Sequence, residues 1–291
     1  MAAIILEGKE VLLKKEEVLK EKLKKLRAPI SFLIIQIGGD EGTFVYVKNK
    51  IKKSEKLGLV PIYKNFKEED KEEEIINFIK EKQKREDIYG VIVEQPILKK
   101  FDSLKIISAI EPEKDIDCLT PYNLGRLAWD SPLFYPATCK AVFDIFKNYQ
   151  IETKGKKVLV ISRSIIIGKP LVLMLLRKGD FGDATPICAH SKTKELKELT
   201  LIADIIITAV GKPNFLTADM VRKESIIIDC GINVVEKDGK KIVCGDADFS
   251  SLKEKVKAIT PVPGGVGVLT TINILENVIL SYERRVGKRA F

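Results

Sequence analysis

At 291 residues, 45% of them hydrophobic, the chain carries enough apolar material for two cores of average size and too much for one small domain. Its five cysteines are scattered without a Cys-x-x-Cys pair and its single histidine is His190, which argues against a disulfide framework or a zinc site and excludes any mechanism that needs two histidines. The net charge of +9 is carried on mixed-sign runs such as Lys14-Lys15-Glu16-Glu17, with no basic stripe interleaved with aromatics of the kind nucleic acid requires; it fits solvated helix faces and the attraction of a small polyanion. The opening Met-Ala-Ala-Ile-Ile-Leu-Glu is too short and too soon acidic for a signal peptide. Apolar runs such as residues 205–210 are strand-sized, against the roughly 20 residues that span a bilayer. The expected setting is the cytoplasm, with no membrane, nucleic-acid or metal partner.

Helical and strand patterns alternate along the whole chain. Residues 10–26 place Leu12, Leu19, Leu23 and Leu26 on one face among lysines and glutamates, which predicts an amphipathic helix. Ser31–Ile37 reads as a buried strand ended by Gly38-Gly39. A helix follows over 43–57, stopped by Gly58, then a strand over 60–63, a helix over 72–85 and a strand over 90–93 ended near Pro96. Such alternation predicts a largely parallel, buried sheet.

The pattern restarts after Gly155. Strands are expected at Lys157–Ile161, Thr185–Ala189, 205–209 and 225–229, with helices over 169–178 and 194–203, forming a second doubly wound unit. The boundary falls near 136–141, where Pro136 leads into a new helix. A last helix, over about 269–282, follows the turn-rich Pro261-Val262-Pro263-Gly264-Gly265-Val266-Gly267.

In the second unit, the first strand-to-helix turn reads Ser162-Arg163-Ser164-Ile165-Ile166-Ile167-Gly168-Lys169-Pro170. In a doubly wound fold such a turn faces its backbone N–H groups and a helix N-terminus toward a ligand's phosphates, and Pro170 suits the first helical turn. It is not Gly-x-Gly-x-x-Gly, and a plain connecting turn is the alternative. The next strand ends in His190-Ser191-Lys192-Thr193-Lys194, where a site for NAD carries an acidic residue for the ribose hydroxyls. Hydroxyls and cations there, with Arg163, suit the 2′-phosphate of NADP; a polar helix cap is the competing reading. Val210-Gly211 and Gly231-Ile232 end later strands and put glycine where a nicotinamide or ribose approaches.

In the first unit Tyr46 and Lys50 stand four apart on one helix face, able to stack a flat ring and move a proton, or simply forming a surface pair. The wider pattern favours the first. The segments Tyr46-Val47-x-x-Lys50, Lys114-Asp115-Ile116-Asp117, Pro121-Tyr122-Asn123-x-Gly125-Arg126-Leu127, Arg163-Ser164-x-Ile166-Ile167-Gly168-x-Pro170, Ala209-Val210-Gly211-Lys212-Pro213, Ile228-Asp229-Cys230-Gly231-Ile232-Asn233, Gly245-Asp246 and Thr260-Pro261-Val262-Pro263-Gly264-Gly265-Val266-Gly267 lie in the order and spacing of one family. Over nearly its whole length the chain resembles the bifunctional methylenetetrahydrofolate dehydrogenase/cyclohydrolases.

That resemblance implies a two-domain α/β protein with a cleft between an N-terminal substrate domain and a Rossmann-type NADP domain. The substrate domain is expected over 1–138, completed by a returning helix over 269–291, and the NADP domain over 139–268. It implies oxidation of methylenetetrahydrofolate by NADP, then hydrolysis of the methenyl product to formyltetrahydrofolate, in a homodimer. Lys50 matches the general acid/base, Tyr46 the ring-stacking tyrosine and Asp117 the anchor of the aminopyrimidine edge, with Pro263, Gly264 and Gly265 beside the folate. Ser162, Arg163, Ser164, Ile166, Gly168, His190, Ser191, Val210, Gly211 and Ile232 match the cofactor site.

Departures from the family pattern matter too. Glu94 stands where a glutamine assists the lysine, and Gln95, next door, serves instead only if a bulge turns it round. Cys118 and Ser162 replace glycines, Ala137-Thr138-Cys139 replaces Cys-Thr-Pro and Val268 a proline. A carboxylate near Lys50 favours its ammonium form, so one alternative is a dehydrogenase with weak or absent hydrolysis. Two others are an NADP dehydrogenase of another small substrate and a non-catalytic nucleotide- or RNA-binding module.

Overall fold

Ser31–Ile37, buried at every position, is the middle of a three-stranded parallel sheet ordered Val60–Phe66, Ser31–Ile37, Ile88–Val93. The computed structural model describes residues 2–26, 29–39, 41–237 and 239–289. The helices Glu41–Lys56 and Glu72–Lys82 make the two crossovers, the second packing Ile75 and Ile79 inward beneath a first turn of Glu72, Glu73 and Glu74 that suits the helix dipole. A parallel bridge between Val91 and Asp115 carries the loop after Glu111 alongside the third strand. This unit comprises Lys15–Pro136 and Thr271–Phe291. Polar hooks hold the helix Gly267–Arg289 to it: Asn277 donates to Ile116 O at 2.8 Å and Tyr135 O at 2.9 Å, and Ser281 to Glu113 O at 2.8 Å.

The other unit, Met1–Lys14 with Ala137–Thr270, is built on a six-stranded parallel sheet. Its order is Ile4–Ile5, Ala258–Ile259, Ile226–Asp229, Ile205–Thr208, Lys157–Ile161, Thr185–Ala189. From Lys157–Ile161 the chain goes first to one neighbour, Thr185–Ala189, and then to the other, Ile205–Thr208. Strand order therefore reverses there, which is where doubly wound sheets open a ligand crevice at their carboxyl ends. Leu159, Ile206, Ile227 and Ile259 fill one face of this sheet with Leu216 and Leu252.

Three differences from the expected elements have physical causes. Residues 1–14 were expected with the substrate domain but belong with the six-stranded sheet, because Ile4 and Ile5 pair with Ala258 and Ile259; two residues are too short a run to signal a strand. An antiparallel hairpin, Asn233–Lys237 with Lys240–Cys244, interrupts the parallel pattern. The helix expected over 194–203 is Leu196–Ile202, because Glu195 is left-handed at φ 52° and cannot continue a helix backward.

Candidate active site

The helix Glu41–Lys56 carries Tyr46 and Lys50 on one face, and the structure uses both. Lys50 is 1% exposed, its Nζ donating to Glu94 Oε1 and lying 5.2 Å from the centre of the Tyr46 ring. Tyr46 itself is 38% exposed, leaving ring surface for a partner. Glu94 follows directly on the buried strand Ile88–Val93, with its N–H given to Ile35 O at 2.8 Å. Gln95 turns its amide back to Val93 O at 3.3 Å, so the place beside the lysine is held by the carboxylate, not by the neighbouring amide.

Two further side chains complete this centre and were not picked out from the sequence. Tyr63 donates to Gln36 Oε1 at 2.7 Å, and Gln36 Nε2 donates to Gly38 O at 2.8 Å. Burial, and then the nearby Glu94 charge, raise the Tyr63 hydroxyl above its ordinary pKa, which keeps it a donor. Their only sequence signal was position, at the carboxyl end of one strand and the middle of its neighbour.

Asp117 lies two residues beyond the bridge between Asp115 and Val91, in a turn that Cys118 N closes on Asp115 O at 3.1 Å. Its loop is shaped by Asp115, which accepts from Leu119 N at 3.1 Å, Thr120 N at 2.8 Å and Asn123 Nδ2 at 2.8 Å. Burial raises the Asp115 pKa against those bonds, marking it as a buried scaffold and leaving half-buried Asp117 as the accessible carboxylate. Cys118 follows Asp117 at φ 59°, a left-handed backbone that accounts for the glycine usual there.

In the other unit the turn 162–167 is closed by serines. Ser164 Oγ accepts from Ile167 N at 3.1 Å and Gly168 N at 3.3 Å, and Ser162 Oγ donates to Ser164 Oγ at 3.2 Å. The serine that replaces glycine at 162 thus joins the turn. A Cβ at Gly168 would overlap Ser162 O, so the helix starts in contact with the strand end. Arg163 is exposed beside it, Ile166 half-buried. At the end of the next strand, His190 N donates to Thr193 Oγ1 at 2.9 Å and Thr193 N to His190 O at 2.8 Å. This self-closed turn precedes the helix by several residues, so it is not that helix's cap, and it leaves Ser191 and Lys192 exposed.

Val210, Gly211 and Ile232 lie on two loops tied to one buried carboxylate, Asp246, while Pro263, Gly264 and Gly265 form a tight turn with Gly265 N on Pro261 O at 2.8 Å and Gly8 N on Gly264 O at 2.8 Å. Tyr46, Lys50 and Glu94 are thus brought together in one unit, and the cofactor-type residues line the carboxyl edge of the sheet in the other. Among the described residues no cluster of three or more His, Cys, Asp or Glu side chains is placed to hold a metal, and no helix is long and apolar enough to cross a membrane.

A doubly wound sheet with a ligand-type switch point, joined in one chain to a parallel α/β unit holding a buried lysine–carboxylate centre, defines a two-unit nucleotide-dependent enzyme. The chain belongs to the tetrahydrofolate dehydrogenase/cyclohydrolase family: residues 6–117 match its catalytic domain and residues 136–286 its NAD(P)-binding domain. It is 39% identical over 288 residues to the bifunctional protein FolD of Caldanaerobacter subterraneus subsp. tengcongensis, covering 98% of this chain and 99% of that one. The structure matches the bifunctional FolD methylenetetrahydrofolate dehydrogenase/cyclohydrolase of Campylobacter jejuni with a TM-score of 0.90 at 35% identity, covering 98% of this chain and all (100%) of that one. It matches the Trypanosoma brucei methylenetetrahydrofolate dehydrogenase-cyclohydrolase, solved with NADP and an inhibitor, with a TM-score of 0.92 at 27% identity, covering 98% and 99%.

Proposed function

We propose that this chain oxidises methylenetetrahydrofolate to methenyltetrahydrofolate with NADP and hydrolyses the product to formyltetrahydrofolate. The observation that carries this reading is the buried Lys50 set against Tyr46 and Glu94 within the matched catalytic domain. Bound NADP supplies the hydride acceptor. The residues present fit it: Gly168 admits no Cβ where the turn closes, Arg163 is exposed on that turn, and the adjacent strand ends in exposed Ser191 and Lys192, hydroxyl and cations suited to a 2′-phosphate rather than to bare ribose.

Tyr46 stacks on the flat ring of the folate and Asp117 accepts from its aminopyrimidine edge. Loss of a hydride leaves the one-carbon unit as a cation conjugated with two nitrogens. Water adds its oxygen to that carbon and gives up a proton, one carbon–nitrogen bond breaks, and the freed nitrogen takes a proton. Lys50 is the group placed to move those protons, with Glu94 as its charge partner. Pro263, Gly264 and Gly265 are the further residues this reading assigns to the folate. In this reading residues 15–136 with 271–291 form the substrate domain and residues 137–270 the cofactor domain.

The protein acts in the cytoplasm as a homodimer. Support for the dimer comes from the hairpin, where Val234 and Val243 stand opposite each other, 61% and 42% exposed. Analytical ultracentrifugation tests this; a sedimentation coefficient of a 32.7 kDa monomer at micromolar concentration overturns it. The activity is tested by following NADPH and methenyltetrahydrofolate absorbance separately in one reaction. NADPH formation followed by decay of the methenyl signal is expected. Absence of NADPH formation with methylenetetrahydrofolate overturns the assignment.

A further inference from the structure

Asp246 is fully buried, and its carboxylate takes four donors from two different loops. Val210 N lies 2.6 Å and Gly211 N 3.2 Å from Oδ2; Lys212 N and Asn233 Nδ2 each lie 2.9 Å from Oδ1. The first loop follows the strand Ile205–Thr208 and the second follows Ile226–Asp229, so one side chain stitches together the carboxyl ends of two adjacent strands. The aspartate is itself immobilised. Leu216 N donates to its backbone oxygen at 2.9 Å, its own N–H reaches Asp229 Oδ1 at 3.2 Å, and Leu216 and Ala247 form a parallel bridge. A Cβ at Gly231 would collide with the Asp246 carboxylate, so the loop bearing Ile232 lies directly against it.

Hydrogen bonds to a carboxylate are about twice as strong as neutral ones, and a buried carboxylate left without them is costly. The arrangement therefore holds the 210–212 and 231–233 loops as one rigid lip of the sheet. We propose that Asp246 is a positioning residue that fixes both loops for the nicotinamide half of the dinucleotide, without touching the cofactor itself. This rests on the NADP reading above. It separates that half from the adenosine half, which the turn at Arg163 and the segment at Ser191 would receive, because no bond of Asp246 reaches either segment.

The test uses the full-length protein and two probes: NADP and 2′,5′-ADP, which has the adenosine and 2′-phosphate but no nicotinamide. For Asp246→Asn, whose amide sets N–H against N–H at one of the two carboxylate oxygens, a 10-fold or greater loss of NADP affinity is expected, with 2′,5′-ADP affinity within twofold of wild type. KM for NADP should rise while KM for methylenetetrahydrofolate stays within twofold. Equal losses for both probes would show a merely structural role and overturn the proposal, as would unchanged NADP binding. Should Asp246→Asn not fold, Asn233→Ala removes one donor and no backbone group; a loss of NADP affinity of threefold or more with 2′,5′-ADP unchanged supports the proposal, and no loss overturns it. A wild-type protein that binds neither probe would instead defeat the NADP reading itself.

Discussion

Lys50 and Glu94 face each other as amine donor and carboxylate acceptor where neither has water to spare, at 1% and 7% exposure. A glutamine in place of Glu94 would leave the amine a neutral neighbour. The carboxylate instead holds the amine in a charge-assisted hydrogen bond, stronger than the one a neutral amide would make and a restraint on the amine's release to move a proton. Hydride transfer needs no proton acceptor. Replacing Glu94→Gln should therefore raise methenyl hydrolysis at neutral pH relative to oxidation, by several-fold, and leave the oxidation rate within about twofold. Stopped hydrolysis assays between pH 6 and 9 check this. An unchanged ratio of the two activities at every pH would show that the carboxylate does not restrain the lysine.

The same pair makes a stability prediction of opposite character. Removing one member of a buried ion pair strands the other, at a cost of about 3–5 kcal/mol, whereas replacing both with apolar or neutral groups is nearly neutral. Lys50→Met should lower stability on that scale and abolish hydrolysis; Lys50→Met combined with Glu94→Gln should recover most of the stability and none of the hydrolysis. Urea denaturation with both activity assays distinguishes these, and additive destabilisation in the double variant would contradict the coupling.

Arg163 is exposed on the nucleotide turn and is the cation positioned in sequence for a 2′-phosphate. Arg163→Ala should weaken NADP by about 1.5–3 kcal/mol, the scale of a hydrogen bond to a charged group, and leave NAD nearly unchanged. Titration with both coenzymes measures the difference. Equal losses would place Arg163 away from the 2′-phosphate.

Much of this site was legible because periodicity and local chemistry agreed. Tyr46 and Lys50 share a helix face by spacing alone, and the unbroken apolar run Phe32-Leu33-Ile34-Ile35 within Ser31–Ile37 signals a buried element. What stayed hidden depended on contacts between distant segments. Gln36 and Tyr63 meet through strand pairing, their partner choice invisible in either segment. Residues 1–14 join the six-stranded sheet through two paired residues, a contact made 254 positions away in sequence at Ile4 and Ala258. Asp229 and Asp246 looked like motif letters beside glycines. Their role appears only when Gly231 and Gly245 are seen to lack side chains because those carboxylates fill the space.

Asp229 gives the last prediction, a pH dependence. Its carboxylate accepts from Thr208 Oγ1 at 3.1 Å, Gly231 N at 2.8 Å, Asp246 N at 3.2 Å and Ala247 N at 2.8 Å. Burial raises its pKa to about 6 from an ordinary 3.8, the backbone donors opposing this and the Asp246 charge adding to it. The thiols of Cys230 and Cys244, pushed upward by burial and by both carboxylates, stay neutral through this range and do not offset the charge. A carboxyl group whose folded pKa is raised binds its proton more tightly in the folded state. Its contribution to stability is complete below pH 3.8 and is lost as pH climbs through about 6. The full loss is on the order of 3 kcal/mol, from a shift of about two units at 1.36 kcal/mol each. Other carboxylates here run the opposite way, Asp87 and Asp219 being lowered by Arg85 and Lys197, so the whole protein's curve mixes both signs. The comparison with Asp229→Asn isolates the one group. Wild type should lose stability relative to that variant by on the order of 3 kcal/mol between pH 4 and pH 6.5, measured by urea unfolding at each pH, and keep a constant difference above it. A difference that stays flat across that window, or that moves in wild type's favour as pH rises, would mean that the backbone donors outweigh burial at Asp229.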